Sequence, residues 1–155
     1  MRETRPTSPR RPRGRVCGLD PGRARVGVAI DDELGILAHP RGTLDPRDRA
    51  AFAAGVRALA DAEDVTRFIV GLPLHLSGGE GQAARDARAM AQRVADATGR
   101  IVELWDERLS TVQAARSLAA SEVRGRRARA HIDEAAACAI LQSWLDARAS
   151  RGKRR

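Results

Sequence analysis

The order of the predicted strands and helices is the feature that most constrains the fold of this chain. The predicted strands cover residues 16–19, 26–30, 36–39 (extending toward Thr43), 67–73 and 100–107, and the predicted helices cover residues 47–62, 82–97, 110–120 and 133–147. A tight turn at Pro21-Gly22 makes strands 1 and 2 antiparallel, whereas the later strands need helical crossovers and run parallel. This order predicts an α/β fold with a five-stranded mixed sheet, in which strand 2 is antiparallel, and with helices on both faces.

The net charge of +8 lies at the two ends of the 155-residue chain, which is long enough for one domain. Residues 1–15 and 148–155 each carry +5, whereas residues 16–147 carry −2. We therefore predict a disordered basic tail at 1–15, one folded domain at 16–147 and a basic C-terminal tail at 148–155.

No apolar run in the sequence is long enough for a membrane span, which needs roughly 18 uncharged residues. The N-terminal arginines are not followed by the apolar segment of a signal peptide. We expect a cytoplasmic protein without a membrane partner.

Acidic residues follow or flank the predicted strands at one edge of the sheet. Asp20 ends strand 1, Asp106 and Glu107 end strand 5, and Asp133 begins the last predicted helix. In open α/β sheets, functional groups collect at the carboxyl ends of the strands. Carboxylates at 4 Å repel by roughly 4 kcal/mol per pair at an effective dielectric of 20, and Mg²⁺ or Mn²⁺ removes this repulsion. The pattern favours metal-dependent phosphodiester hydrolysis.

Each of these acids also has a purely structural interpretation. Asp20 before Pro-Gly suits a turn, and Asp133 suits a helix N-cap. Asp106 and Glu107 suit the N-terminal end of the following helix, where Ser110 and Gln113 predict a capping box. Residue spacing alone leaves both interpretations open.

A cluster of arginines lies inside the predicted domain, in the segment "VRGRRARAH" at 123–131: Arg124, Arg126, Arg127 and Arg129. Such a cluster fits either a surface that follows a phosphate backbone or a solvated loop.

Four segments resemble the signature blocks of the YqgF/RuvX family: "GLDPGRARVGVAIDDELGILAHP", "FIVGLPLHLSGGEG", "LWDERLSTVQAA" and "HIDEAAACAILQSWLD". The resemblance covers about residues 16–148. The first block alone is weak evidence for this family, because actin-like ATPases and sugar kinases use similar phosphate loops. The last two blocks are more specific to it. The family is described as pre-16S rRNA nucleases, formerly as Holliday junction resolvases, with a ribonuclease H-like fold.

The resemblance implies that Asp20, Glu107 and Asp133 are catalytic acids that hold Mg²⁺ or Mn²⁺. It favours Glu107 over Asp106, because the family's acid is the middle member of Asp-Glu-Arg. It also implies nucleic-acid contacts, which we assign to Gly22, Arg23, His75, Arg108, Arg124, Arg126, Arg127 and Arg129. Arg108 either anchors a phosphate or holds the neighbouring loop. Pro21 and His75 depart from the family pattern, which has an aromatic residue and Asn at these positions.

The function implied is a metal-dependent endonuclease acting on structured RNA, with the 5′ end of pre-16S rRNA favoured and a pre-ribosomal particle as a partner. One alternative is resolution of a DNA four-way junction, which needs a stable dimer. No segment predicts a large apolar dimer face, so we expect a monomer or a weak homodimer. A non-catalytic RNA-binding assembly factor is a further alternative. An actin-like ATPase fits poorly, because such enzymes close two domains around the nucleotide.

Overall fold

Five β-strands and four α-helices make up the part of the chain that the computed structural model describes, residues 14–154. The strands are β1 (Arg15–Asp20), β2 (Val26–Asp31), β3 (Ala38–Leu44), β4 (Val65–Leu72) and β5 (Ile101–Asp106). The helices are α1 (Arg49–Ala62), α2 (Gln82–Thr98), α3 (Val112–Glu122) and α4 (Arg126–Gly152), and a 3₁₀ turn (Glu107–Leu109) follows β5. The predicted strands and helices are all present, in the predicted order.

The strands form one sheet in the order β3-β2-β1-β4-β5. β2 runs antiparallel to both β1 and β3, whereas β4 runs parallel to β1 and to β5. This confirms the predicted mixed sheet with strand 2 antiparallel. As a result, the carboxyl ends of β1, β4 and β5 meet at one edge, where Asp20 is paired with Gly27 of β2.

Helices cover both faces of the sheet. Successive residues of a strand point to opposite faces, and each face carries apolar side chains that the helices bury. On one face, Leu19 of β1 is buried in a cluster with Phe52 of α1 and Val94 of α2. On the other face, Val16 of β1 is buried in a cluster with Leu141 of α4. Asp20 alternates with Leu19 and therefore belongs to the face that α4 covers.

Three glycines of the sheet allow α4 to lie close to its strands. A Cβ on Gly18 would lie 2.7 Å from the Cβ of Leu141, and one on Gly71 would lie 2.6 Å from Cδ1 of Ile140. A Cβ on Gly27 would overlap the backbone carbonyl of Asp133. Side chains at these positions would push the helix away from the sheet.

Helix α4 begins earlier and ends later than predicted. It starts at Arg126 instead of residue 133, and it runs to Gly152, through residues predicted to be a tail. The added turns are rich in Arg and Ala, which are good helix formers, but they lack an apolar stripe that periodicity could detect. Asp133 is therefore not an N-cap, and Arg126, Arg127 and Arg129 lie in a helix and not in a loop.

Two further predictions concern the ends of elements. The capping box at Ser110 and Gln113 is not formed: Thr111 is the N-cap of α3. Ser110 Oγ donates a 2.7 Å hydrogen bond to the Glu107 carbonyl and accepts a 3.3 Å hydrogen bond from the Val112 N–H. The predicted tail at 1–15 lies outside the described residues apart from Gly14 and Arg15, and Arg15 begins β1. Among residues 14–154, none of the helices has the length and apolar character needed to cross a membrane.

Candidate active site

Asp20 lies at the carboxyl end of β1 and is only 6% exposed. Arg116 of α3 donates a hydrogen bond from Nη2 to Asp20 Oδ1 over 2.9 Å. Burial raises the pKa of Asp20 to about 7; Arg116 opposes this shift, while Glu107 and Asp133 add to it. A carboxyl group whose charge is disfavoured by burial is one that a bound cation would stabilise strongly.

Glu107 begins the 3₁₀ turn after β5 and is also buried. Its Oε1 lies 3.7 Å from Arg116 Nη2, the same nitrogen that contacts Asp20. Burial raises the pKa of Glu107, and Arg116 opposes this shift. Gly71 provides the space for this side chain, since a Cβ there would lie 2.9 Å from Glu107 Oε1.

Asp106 points to a different partner from that of Glu107. Both of its carboxylate oxygens accept hydrogen bonds from the Arg108 guanidinium, at distances from 2.7 to 3.1 Å. These bonds lower the pKa of Asp106. Of the two neighbouring acids, the structure therefore turns Glu107 toward Asp20 and Asp106 toward the surface loop.

Asp133 lies in the second turn of α4, beside the β1–β2 pair. Its backbone carbonyl packs on Gly27, the cross-strand partner of Asp20. Its carboxylate, however, accepts a 2.9 Å hydrogen bond from Arg25 Nε. Asp133 is close enough to contribute to the raised pKa of Asp20, but its side chain is engaged with Arg25.

The three acids do not form a single cluster in the structure. Across residues 14–154, no group of three or more His, Cys, Asp or Glu side chains is arranged to hold a metal ion. This differs from the predicted contact among three carboxylates, because Arg116 pairs with Asp20 and Glu107 while Arg25 holds Asp133 apart from them. The donor set nevertheless fits Mg²⁺ or Mn²⁺: the ligands are carboxylate oxygens, and two of them already converge on one nitrogen of the positively charged Arg116 guanidinium.

The sequence patterns did not predict the two arginines that pair with these acids, Arg116 and Arg25. Arg116 is the only basic residue of α3, and Arg25 ends the turn between β1 and β2. The available signal was indirect: a buried acid needs a nearby cation, so a predicted cluster of acids also predicts basic partners. Nothing in the residue spacing indicates which arginines they are.

Arg108 holds the loop that follows β4. Its Nη1 donates hydrogen bonds to the backbone carbonyls of Leu76 at 3.3 Å and His75 at 3.5 Å. His75 closes the loop through its backbone, which bonds to Gly78 and Gly79, and the residue itself is exposed. Of the two roles open for Arg108, the structure shows the one that holds the loop.

The remaining predicted nucleic-acid residues are exposed to solvent. Gly22 and Arg23 form the β1–β2 turn, and Arg23 makes a loose 3.4 Å ion pair with Asp86. The cluster of four arginines is exposed at the start of α4: Arg124, Arg126, Arg127 and Arg129.

A cavity of about 640 Å³ opens beside the β1–β2 turn, between the N-terminal parts of α1 and α2. Arg23, Arg49 and Arg93 line it together with Asp86 and the apolar Met90. Arg93 is held in place by a 3.0 Å bond to the Pro46 carbonyl and by the ring of Phe52, 4.7 Å away. The cavity therefore carries a net positive charge and is lined by Pro21, the residue that follows Asp20.

The fold and the acidic edge together define the class of this domain. The structure resembles Thermus thermophilus RuvC, both alone and in a complex with a Holliday junction substrate. The TM-score to the complexed protein is 0.57 at 16% sequence identity, over 88% of this chain and 96% of that chain. This similarity shows that the domain has the ribonuclease H-like fold.

The chain belongs to the RuvX family, whose sequence profile, described as "Holliday junction resolvase", matches residues 14–147. A relative from Anaeromyxobacter sp. (strain Fw109-5) is 45% identical over 134 residues, which is 86% of this chain and 98% of the relative. A relative from Myxococcus xanthus is 44% identical over 133 residues, which is 86% of this chain and 88% of the relative. Both carry the name "Putative pre-16S rRNA nuclease". The chain is thus a member of a nuclease family, and the resemblance found in its sequence is confirmed.

Proposed function

We propose that this chain is a metal-dependent endonuclease that hydrolyses phosphodiester bonds of structured RNA, with the 5′ end of pre-16S rRNA as its substrate. The observation that carries this proposal is the convergence of two buried carboxylates, Asp20 and Glu107, on one nitrogen of the Arg116 guanidinium at the carboxyl edge of the sheet. The names of the relatives support RNA as the substrate class.

Asp20, Glu107 and Asp133 are the residues that would hold Mg²⁺ or Mn²⁺. A bound cation of this kind supplies Lewis-acid stabilisation of the charge that develops on a phosphate. The chain itself contributes the buried carboxylates and the space that Gly71 leaves beside Glu107. Arg108 holds the loop that follows β4, and this loop forms a wall beside the carboxyl edge of the sheet.

The exposed arginines of α4 provide a path for the RNA toward the acids. Arg126, Arg129 and Asp133 are spaced by three and four residues in one helix, so they lie along the same stripe. Phosphates bound along this stripe would lead toward Asp133. The net positive cavity adjoins the turn that follows Asp20 and supports binding of a second part of the strand.

The test is cleavage of a labelled RNA that contains the pre-16S 5′ end. Purified protein is expected to cut it in Mg²⁺ and to stop when EDTA is added. Absence of cleavage under both conditions, with RNA bound equally well with and without Mg²⁺, would instead indicate an RNA-binding assembly factor.

Cleavage of a DNA four-way junction is the second candidate, favoured by the description of the family profile. Symmetric cutting needs two active sites and hence a stable dimer. A competition assay with equal amounts of RNA and junction DNA separates the two substrates. A protein that sediments as a strict monomer while cutting the RNA would exclude the junction as its substrate.

Replacing Arg23 and Arg49 by Ala is expected to weaken RNA binding without unfolding the domain, since both side chains are exposed. The slope of log affinity against log salt is negative, and each lost phosphate contact should reduce its magnitude by about 0.7 to 0.9. Fluorescence anisotropy in EDTA at several salt concentrations measures this slope. Arg57→Ala is the matched control, because Arg57 is exposed on the same helix as Arg49 but does not line the cavity. An unchanged slope in the Arg23/Arg49 variant would show that the cavity is not part of the RNA-binding surface.

A further inference from the structure

Arg116 contacts both buried acids through a single atom. Its Nη2 lies 2.9 Å from Asp20 Oδ1 and 3.7 Å from Glu107 Oε1. The side chains of the two acids are only 8% and 9% exposed, and that of Arg116 is 28% exposed. The positive charge between these carboxylates is therefore supplied by the protein itself, from the first half of α3.

We propose that Arg116 is a built-in counter-cation: it competes with the divalent cation for Asp20 and Glu107, and uptake of the cation releases it toward a phosphate of the bound strand. This inference rests on the proposed function, because it takes Asp20 and Glu107 as the acids that hold the cation.

The competition follows from charge and geometry. A guanidinium and a divalent cation repel each other, and both need the same carboxylate oxygens. While Arg116 is bonded to Asp20, only the fraction of molecules in which this bond is open can accept the cation, and the apparent affinity falls by that fraction. α3 packs against α4, so the helix stays in place and only the side chain has to move.

The released side chain has a second partner available in the substrate. A planar guanidinium, with its several donors, suits the oxygens of a phosphate. Binding of RNA to Arg116 and binding of the cation to the acids would then favour each other, and this coupling is reciprocal. Arg116 is thus a positioning residue whose bond to Asp20 makes cation binding depend on the substrate.

The direct test is a titration of the protein with Mn²⁺ in the absence of RNA. The electron paramagnetic resonance signal of free Mn²⁺ measures how much of the ion is bound. Arg116→Gln is expected to bind Mn²⁺ about tenfold more tightly than the wild type, because the competitor is gone. Arg116→Lys keeps the charge and should stay close to the wild type. Arg85→Gln removes an exposed arginine of α2 and serves as the control for charge alone.

Thermal unfolding distinguishes competition from a merely structural role. In EDTA, Arg116→Gln should melt below the wild type, because two buried acids lose their counter-cation. In saturating Mn²⁺ this difference should shrink, since the cation replaces Arg116. An equal difference under both conditions would overturn the proposal. If the variant is unfolded in EDTA, folding restored by Mn²⁺ supports the proposal, and failure of Mn²⁺ to restore it overturns the proposal.

RNA cleavage, measured separately, keeps this inference distinct from the proposed function. If the wild type cleaves RNA but Arg116→Gln binds Mn²⁺ no more tightly, the inference fails and the nuclease function stands. If Arg116→Gln binds Mn²⁺ more tightly but the wild type does not cleave RNA, the inference stands and the nuclease function fails.

Discussion

Replacing Asp20 by Asn is expected to abolish RNA cleavage and, at the same time, to make the protein more stable in EDTA. The loss of activity should be at least about a thousandfold, because the substitution removes an anionic ligand from the centre of the proposed site. The gain in stability follows from burial: Asn has nearly the same shape as Asp but carries no charge that burial disfavours.

The sign of the stability effect follows from the pKa of Asp20, which burial raises from 3.8 to about 7. Below pH 3.8 the carboxyl is protonated in both the folded and the unfolded protein. Between these two pKa values the unfolded state ionises first, so stability falls as pH rises, and the full loss is reached above pH 7. At about 1.36 kcal/mol per pKa unit, Asp20→Asn should gain roughly 2–4 kcal/mol at pH 8.

Urea unfolding of both proteins in EDTA, at pH 5 and pH 8, measures this effect, and the gain should be larger at pH 8. Asp96→Asn is the matched control, because Asp96 is exposed on α2 and bonds only to the side chain of Gln92 in its own helix. A fully active Asp20→Asn variant would exclude the proposed active site. An Asn variant less stable than the wild type at pH 8 would show that the attraction of Arg116 outweighs burial.

Replacing Gly27 by Ala is expected to destabilise the domain by about 3 kcal/mol or more. The new Cβ would overlap the backbone carbonyl of Asp133, and neither β2 nor α4 can move its backbone without disturbing the packing on the sheet. To avoid the overlap, α4 must move away from β2 and carry Asp133 with it. Cleavage by the remaining folded protein should therefore fall as well.

Urea unfolding gives the loss of stability, and cleavage measured well below the melting temperature gives the effect on the site. Gly152→Ala is the matched control, because Gly152 ends α4 and a Cβ there would meet no atom within 4 Å. It should leave stability unchanged or raise it slightly, since Ala favours helix more than Gly does. Wild-type stability in Gly27→Ala would contradict the close packing of α4 on β2.

The strands and the core of the domain could be predicted from local patterns. Short β-forming runs bounded by Pro and Gly marked the strands of the sheet, and the apolar spacing of Phe52 and Val56 marked α1. These signals are reliable because each segment must bury one stripe or one face. The ends of α4 could not be predicted in the same way, because its first and last turns are exposed and bury almost nothing.

The sequence by itself determined the sheet, the helices on its two faces, and the placement of Asp20 and Glu107 at the carboxyl ends of β1 and β5. It could do so because the strands and helices follow from local periodicity, and the chain directions follow from connection length. The order of the strands within the sheet came from the structure. The family resemblance favoured Glu107 over Asp106, but only the tertiary structure decided that Arg116 and Arg25 neutralise the acids.

These pairs join residues that lie far apart in the sequence, 96 positions for Arg116 and Asp20 and 108 for Arg25 and Asp133. They depend on how α3 and α4 pack on the sheet. Glycines such as Gly27 set the distance between α4 and the strands. Side-chain partners of this kind are fixed by packing and not by spacing along the chain, because a charge pairs with whatever opposite charge the fold brings within a few ångströms.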